Sequence, residues 1–157
     1  ARGYRDILAV TEPLDGTSSR AERVQALTAC VQSRADMQCE VVQTGPGLSQ
    51  ALIRFLGSNG TRPKALFTLN GVATLAVTTA LREAGHALFG NVGVIALDDL
   101  DWYPLVGNGI TALAQPTERI GMAAFEHLLS RLHGEQGAAR RIDFKASLII
   151  RGSTPLR

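Results

Sequence analysis

The sequence is poor in the residues that metal centres and disulfide-stabilised folds require. Its 157 residues include two cysteines and three histidines. Cys30 and Cys39 are separated by eight residues and have no nearby histidine, so they do not form a zinc-binding pattern. We therefore predict no metal site and no cofactor. Cys30 falls on the apolar stripe of a predicted helix and Cys39 at the start of a predicted strand, which favours two reduced, buried thiols.

Long apolar runs and clusters of positive charge are also absent. No stretch reaches the ~20 apolar residues that a membrane-spanning helix needs, and no signal-peptide pattern opens the sequence. The 16 Lys and Arg residues and 14 Asp and Glu residues leave a net charge of +2 that is spread along the chain. Nucleic-acid-binding domains usually gather Lys and Arg on one face instead. We expect no membrane contact, no direct DNA contact through these residues, and a location in the reducing cytoplasm.

Motifs of catalysis and of nucleotide binding are missing as well. The sequence contains no GxGxxG, P-loop, GxSxG or HExxH pattern. These are the arrangements that bind phosphates, activate a nucleophile or hold zinc. Gly45–Gly47 precedes a predicted helix, but Pro46 and the lack of a lysine there favour an ordinary loop over a phosphate site. We predict that the protein is not an enzyme and has no catalytic residues.

The pattern that is present is an alternation of short apolar runs and helical periodicities. The runs are nearly continuous in apolar residues, which is typical of parallel strands covered on both faces: Ile7–Val10, Cys39–Gln43, Ala65–Leu69 and Val92–Leu97. Amphipathic helices are predicted between them, and Ser19 and Glu22 form a capping-box pattern at the start of the first. This alternation predicts an α/β fold, a doubly wound parallel sheet built from right-handed βαβ units.

The order of elements changes after Leu97. Residues 98–109 are predicted to form a loop, Ile110–Ala114 a short strand, and Pro116 the entry to a helix with Thr117 as its N-cap. The apolar stripe of this helix comprises Ile120, Ala124, Phe125, Leu128, Leu129 and Leu132. A polar loop follows, and Ile142–Ile150 is predicted to be the final strand.

Polar residues follow the predicted strands at their carboxyl ends, where a doubly wound sheet binds its ligands. They are Thr11-Glu12, Thr44-Gly45, Asn70 and Asp98-Asp99, and Arg23 in the first helix lies close enough to join them. Carboxylates accept hydroxyl hydrogens, an amide accepts and donates, and a guanidinium binds a carboxylate in a plane. Each residue also has a purely structural interpretation. Asn70 is a possible helix N-cap, Asp98 or Asp99 a turn cap, and Arg23 a surface ion-pair partner of Glu22 or Glu12.

A set of short motifs resembles the LacI/GalR family of bacterial transcriptional regulators. The matching pieces are Ser18-Ser19 with Arg23, Ala65–Phe67 leading to Asn70, Val94–Asp99, Ile110–Pro116, Ile120-Gly121 and Arg151–Thr154. The resemblance implies a periplasmic-binding-protein-like, Rossmann-like lobe in which Arg23, Asn70 and Asp98 bind an effector, and Thr11 and Gln115 complete the predicted set. Residues 66–129 look most like family members that regulate sugar-acid metabolism, which implies a sugar-acid effector, with 2-ketogluconate favoured.

The resemblance also implies how the chain is organised. Residues 1–115 would form the carboxyl-terminal effector-binding lobe, 116–140 a crossover helix and loop that packs on an amino-terminal lobe, and 141–157 a strand returning to the first lobe. The family's helix-turn-helix head and amino-terminal lobe have no counterpart here. The chain starts with Ala1, so we expect it to be part of a longer protein that contacts operator DNA only through such a head.

The resemblance also implies that the protein forms a homodimer. Family members pair through the surfaces that match the helix after Asn70 and the loop around Leu105-Val106. We expect apolar residues of both to be exposed, namely Val72, Leu75, Ala76, Trp102, Tyr103, Leu105 and Val106. Burial against the chain's own core is the alternative.

Two departures from the family pattern stand out. Many relatives stack an aromatic ring on a sugar from the segment after the second strand, whereas this chain has Gln43–Gly47 and no ring. The usual Asn-Asp pair at the third strand end is Asn70-Gly71. Two other functions stay open on the sequence: a lobe of a periplasmic sugar-binding protein, and a small α/β enzyme that uses Asp98 or Asp99 as a general base.

Overall fold

The computed structural model describes residues 3–58, 61–85 and 92–155. The strands are β1 (Asp6–Thr11), β2 (Gln38–Gln43), β3 (Lys64–Thr68), β4 (Val92–Leu97), β5 (Thr111–Ala114) and β6 (Ser147–Ile149). The α-helices are α1 (Ser18–Gln32), α2 (Leu48–Gly57), α3 (Gly71–Glu83) and α4 (Thr117–Leu132), and a short 3-10 helix spans Tyr103–Leu105. No helix in these ranges is long and apolar enough to cross a membrane.

The strands form one six-stranded sheet in the order β2-β1-β3-β4-β5-β6. Neighbours from β2 to β5 are parallel, and β6 is antiparallel to β5. The predicted doubly wound sheet with a returning final strand is therefore confirmed. Since parallel strands all end on the same side, the carboxyl ends of β1 to β5 meet at one edge of the sheet.

The core lies between the central strands and the helices that cover them. Leu8 and Leu66 of neighbouring strands are fully buried, together with Val77 of α3 and Leu52 of α2. Their nearly continuous apolar character follows from burial on both faces of the sheet. This packing fixes the positions of the strand ends.

Helix α3 has two apolar faces. Ala73, Val77 and Leu81 pack into the core, whereas Val72 and Leu75 are each 57% exposed. The expected exposure of Val72 and Leu75 is thus confirmed.

The other residues expected to be exposed differ in their burial. Ala76, Trp102 and Val106 are half-buried and pack against the core, so the prediction fails for them in part. Leu105 is 82% exposed, but Tyr103 is fully buried. The prediction was wrong for Tyr103 because its hydroxyl finds a buried partner, donating to Thr74 Oγ1 at 2.9 Å. A buried tyrosine is tolerated when its hydroxyl is satisfied in this way.

The final strand is shorter than predicted. Only Ser147–Ile149 is a strand, and it pairs with Ala112–Ala114 of β5. The prediction of a strand over Ile142–Ile150 was wrong because β5 itself has four residues, and a strand needs a neighbour to satisfy its backbone hydrogen bonds. Residues 151–154 then return to the sheet, where Ser153 Oγ donates to the Val94 carbonyl at 2.6 Å.

Three local predictions were also wrong. Helix α1 begins after Thr17 without any side-chain cap, so Ser19 and Glu22 form no capping box. Thr117 is the first residue of α4, and Pro116 occupies the N-cap position. Cys30 is exposed and Cys39 half-buried. Val31 is buried whereas its neighbour Cys30 is exposed, so the apolar stripe of α1 is only partly covered.

Candidate functional site

Three polar residues lie side by side at the carboxyl edge of the sheet. Thr68 of β3 pairs with Val10 of β1 on one side and with Ala96 of β4 on the other. Continuing both registers by two residues aligns Glu12, Asn70 and Asp98 in one row. We call these three residues the edge row. Two of the predicted site residues, Asn70 and Asp98, thus lie side by side at this edge of the sheet.

Asn70 joins the edge row to helix α3. Its Oδ1 accepts a hydrogen bond from the backbone N–H of Ala73 at 2.8 Å, which makes Asn70 the N-cap of α3. Its Nδ2 donates to Glu12 Oε2. The structural interpretation of Asn70 as a helix cap is therefore correct, and the same side chain is fixed at the centre of the edge row.

Glu12 is held from its other side by Arg20. Arg20 Nη2 lies 2.9 Å from Glu12 Oε2, and Arg20 Nη1 donates to the Pro13 carbonyl at 3.0 Å. The sequence predicted Glu12 only as a strand-end residue and as an ion-pair partner of Arg23. It gave no indication of the contact with Arg20. Arg20 and Arg23 are one helical turn apart in α1, and spacing alone does not show which of them reaches Glu12.

Arg23 contacts the backbone beside the edge row. Its Nη1 donates to the Leu69 carbonyl at 3.1 Å. Among the residues that the structure describes, no carboxylate lies within ion-pair distance of Arg23. The alternative of a surface ion pair with Glu12 or Glu22 was therefore wrong. Arg23 is a half-buried cation next to Asn70 with further N–H groups to donate.

Asp98 and Asp99 have different surroundings. Asp98 adopts a φ of 69°, a left-handed conformation that is uncommon for residues other than glycine. Its backbone N–H donates to the Leu113 carbonyl at 3.0 Å, and Gln115 Nε2 donates to its Oδ1. The structure thus brings two predicted site residues, Asp98 and Gln115, into direct contact.

Asp99 is bound by Arg151. The two Arg151 terminal nitrogens lie 2.6 and 3.0 Å from the two Asp99 oxygens, and Arg151 Nη1 also donates to the Ile110 carbonyl at 2.8 Å. The hydrogen bond with Asp99 raises the pKa of Arg151 above its usual value, against an opposing effect of burial. Asp99 is therefore a structural residue of the loop, whereas Asp98 belongs to the edge row.

Thr11 is one of the residues predicted to bind the effector. Thr11 is only 1% exposed, whereas Arg23, Asn70, Asp98 and Gln115 are half-buried. Thr11 therefore lies beneath the edge rather than on it.

Gly71 follows Asn70 at the start of α3, and a Cβ atom at this position would clash with the Leu100 side chain. The aspartate that follows the asparagine in many family members would therefore not fit here without a movement of Leu100.

A separate surface depression lies at the opposite edge of the sheet. Its volume is about 240 Å³ and its lining residues include Asp6, Gln38 and Cys39, near the amino ends of β1 and β2. Burial raises the pKa of the Cys39 thiol, which keeps it protonated and poorly nucleophilic at neutral pH. No group of three or more His, Cys, Asp or Glu in the described part of the chain is arranged to hold a metal ion.

Comparison with known proteins identifies the class of this fold. The chain belongs to the family of periplasmic binding protein-like domains, whose model matches residues 1–154. Its relatives include LacI-type regulators, so the resemblance to the LacI/GalR family is confirmed.

The relatives named PtxS are the most informative. The chain is 70% identical, over 98% of its length, to the HTH-type transcriptional regulator PtxS of Pseudomonas putida, and 60% identical to that of Pseudomonas aeruginosa. It is 33% identical to the HTH-type transcriptional regulator KdgR of Bacillus subtilis. The chain spans less than half the length of these relatives, 45% of each PtxS and 47% of KdgR.

Solved structures support the same fold at lower identity. A periplasmic binding protein/LacI transcriptional regulator from Alkaliphilus metalliredigens, complexed with D-xylulofuranose, matches with a TM-score of 0.80 and 18% identity. The match covers 98% of this chain and 58% of that one. A dimeric Lac repressor matches with a TM-score of 0.77 and 19% identity, covering 98% and 56%. At these identities the likeness concerns the fold alone.

Proposed function

We propose that this chain is the effector-binding lobe of a LacI-type transcriptional repressor whose effector is a sugar acid, with 2-ketogluconate favoured. The observation that carries the proposal is the position of Arg23, a half-buried cation without a carboxylate partner in the described residues, beside Asn70 of the edge row. The 59–70% identity to regulators named PtxS supports the class of protein.

The chemistry of the edge fits a polyhydroxylated acid. The guanidinium of Arg23 offers paired N–H donors to a ligand carboxylate, and the carboxylate of Asp98 accepts hydroxyl hydrogens. Residues 43–47, after β2, contain no aromatic ring. Recognition therefore depends on polar contacts rather than on stacking against a sugar face.

In the longer protein, the effector would bind between this lobe and a second one that the chain does not include. It would change operator affinity through a helix-turn-helix head, and only to the extent that it binds two lobe arrangements with different affinity. Such a repressor would be cytoplasmic, dimeric and without catalytic activity. The relatives' regulator names favour this function over a periplasmic sugar-binding protein.

Calorimetry on the full-length protein tests the proposal. We expect the wild-type protein to bind 2-ketogluconate more tightly than glucose. Arg23→Ala and Asp98→Ala should each cost roughly 1.5–3 kcal/mol, or about tenfold to a hundredfold in affinity, because each removes a charged hydrogen-bond partner. The control is Arg54→Ala, which removes an arginine that is 64% exposed and paired with Glu40. Wild-type affinity in both site variants, or a preference for glucose, would overturn the assignment.

A further inference from the structure

We infer that Glu12 is a second ligand-binding carboxylate of this site, one that accepts a hydroxyl hydrogen of the effector and selects for polyhydroxylated acids. The inference rests on the proposed function, because it concerns the same edge of the sheet. It adds a residue that the sequence motifs did not assign.

The hydrogen bonds of Glu12 leave one of its oxygens available. Both Arg20 Nη2 and Asn70 Nδ2 contact the Oε2 atom. Oε1 has no hydrogen-bond partner among the described residues. Asp98 has the same arrangement, since Gln115 contacts Oδ1 and Oδ2 has no partner within the described ranges. In each carboxylate of the edge row, the protein binds one oxygen. The other oxygen has no partner in the described residues and can accept a hydrogen bond from a ligand.

The fixed position of Glu12 favours a binding role over a solvated surface charge. Its side chain is 21% exposed and that of Arg20 is 27% exposed, and Arg20 is itself anchored on the Pro13 carbonyl. A side chain that is already immobilised loses little rotamer freedom when a ligand binds. Glu12 therefore presents a preorganised acceptor.

The spacing of the edge row indicates the size of the ligand. Glu12 and Asp98 follow β1 and β4, which lie on either side of β3, so their backbones are separated by two strand spacings, roughly 10 Å. One ligand reaches both acceptors only if it carries hydroxyl groups along a chain of several carbons. Arg23 adds the cation that binds its carboxylate. A sugar acid in an extended form meets these requirements, and a short hydroxy acid reaches one acceptor alone.

The test combines one substitution with a series of ligands. Glu12→Gln in the full-length protein removes the charge with little change in shape, and affinity for 2-ketogluconate and its monodeoxy derivatives is measured by calorimetry. We expect E12Q to bind 2-ketogluconate about tenfold more weakly. Removal of one particular hydroxyl should weaken binding to the wild-type protein by a similar factor and have little effect on E12Q. The matched control is Glu40→Gln, which alters an exposed glutamate paired with Arg54 outside the edge row.

The outcomes separate this inference from the proposed function. Tight wild-type binding that E12Q leaves unchanged would overturn the inference alone. An equal loss for every deoxy ligand in both proteins would show that Glu12 acts only through Asn70, and would overturn it as well. Failure of the wild-type protein to bind any sugar acid would overturn the proposed function and the inference with it. If E12Q does not fold, Glu12→Asp should show the same hydroxyl-specific loss.

Discussion

At the scale of single residues, Tyr103 connects the loop after β4 to the candidate site. Its hydroxyl donates to Thr74 Oγ1 at 2.9 Å, and Thr74 Oγ1 donates in turn to the Asn70 carbonyl at 2.8 Å. Thr68 Oγ1 lies 2.7 Å from the same Thr74 atom. All three hydroxyl side chains are buried. A buried hydroxyl network of this kind fixes the start of α3, and with it the amide of Asn70.

Tyr103→Phe should destabilise the protein by about 1 kcal/mol, because it removes one hydrogen bond while Thr74 keeps its other partners. Burial raises the pKa of Tyr103 above its usual value of 10.0. The folded state therefore favours the neutral phenol. The stabilisation is complete below the unfolded pKa and is lost as the pH rises through the higher folded pKa. Urea unfolding of both proteins at about pH 8 and about pH 11 measures this effect.

The stability difference between wild type and Y103F should shrink or reverse at the higher pH. A difference that is constant over this range would contradict the role assigned to the buried phenol. The matched control is Tyr4→Phe, because the Tyr4 hydroxyl is only part-buried and donates to the Pro155 carbonyl.

Sequence reasoning found the edge residues whose strand position exposes them, Asn70 and Asp98. It included Gln115, the partner of Asp98, but it missed two pairings between residues that are distant in the chain. Asn70 and Glu12 are 58 positions apart, and Asp99 and Arg151 are 52 apart. Such pairs follow from the sheet order and register, which the apolar runs do not specify.

At the scale of elements, α4 is the helix that the described chain does not cover. None of its residues is buried, and Phe125 and Leu128 are 59% and 54% exposed. Each large apolar side chain left in water forfeits on the order of 1.5–3 kcal/mol. We expect the 157-residue chain by itself to cover this face with a second copy, by face-to-face packing or by exchange of residues 116–157 between chains.

Light scattering on the chain by itself should detect an oligomer, and Phe125→Asp combined with Leu128→Asp should lower its mass by removing the association through α4. Ile53→Asp is the matched control, because Ile53 of α2 is 55% exposed but lies on another surface. A strict monomer of the unaltered chain at high concentration would remove the hypothesis.

The elements themselves were largely predictable, and the errors have a common cause. The strands β1, β3 and β4 are short apolar runs whose burial on both faces leaves a clear signal. β2 was predicted from the same kind of run, but it lies at the edge of the sheet and none of its residues is buried. The final strand was overestimated because apolar residues such as Ile142 need a neighbouring strand, and Ile142 is 55% exposed. Periodicity reports which residues could be buried, and the presence of a partner decides whether they are.

At the scale of the whole molecule, we expect two copies of the longer protein to pair through exposed apolar residues on α3 and on the loop after β4. Val72 and Leu75 are each 57% exposed and Leu105 is 82% exposed. Trp102 and Val106 are half-buried. Since homodimers usually form through one self-complementary surface, residues of α3 and of the loop would meet their counterparts across a two-fold axis.

We therefore expect Leu75→Asp and Leu105→Asp to dissociate the full-length dimer, because each places a charge where apolar side chains would be desolvated. Light scattering measures the mass, and operator binding should weaken in parallel because two heads would no longer be held together. Affinity for 2-ketogluconate should change little, since neither residue belongs to the edge row. Leu148→Asp is the control, as Leu148 of β6 is 54% exposed. A dimer that persists in both variants would assign the interface to another surface.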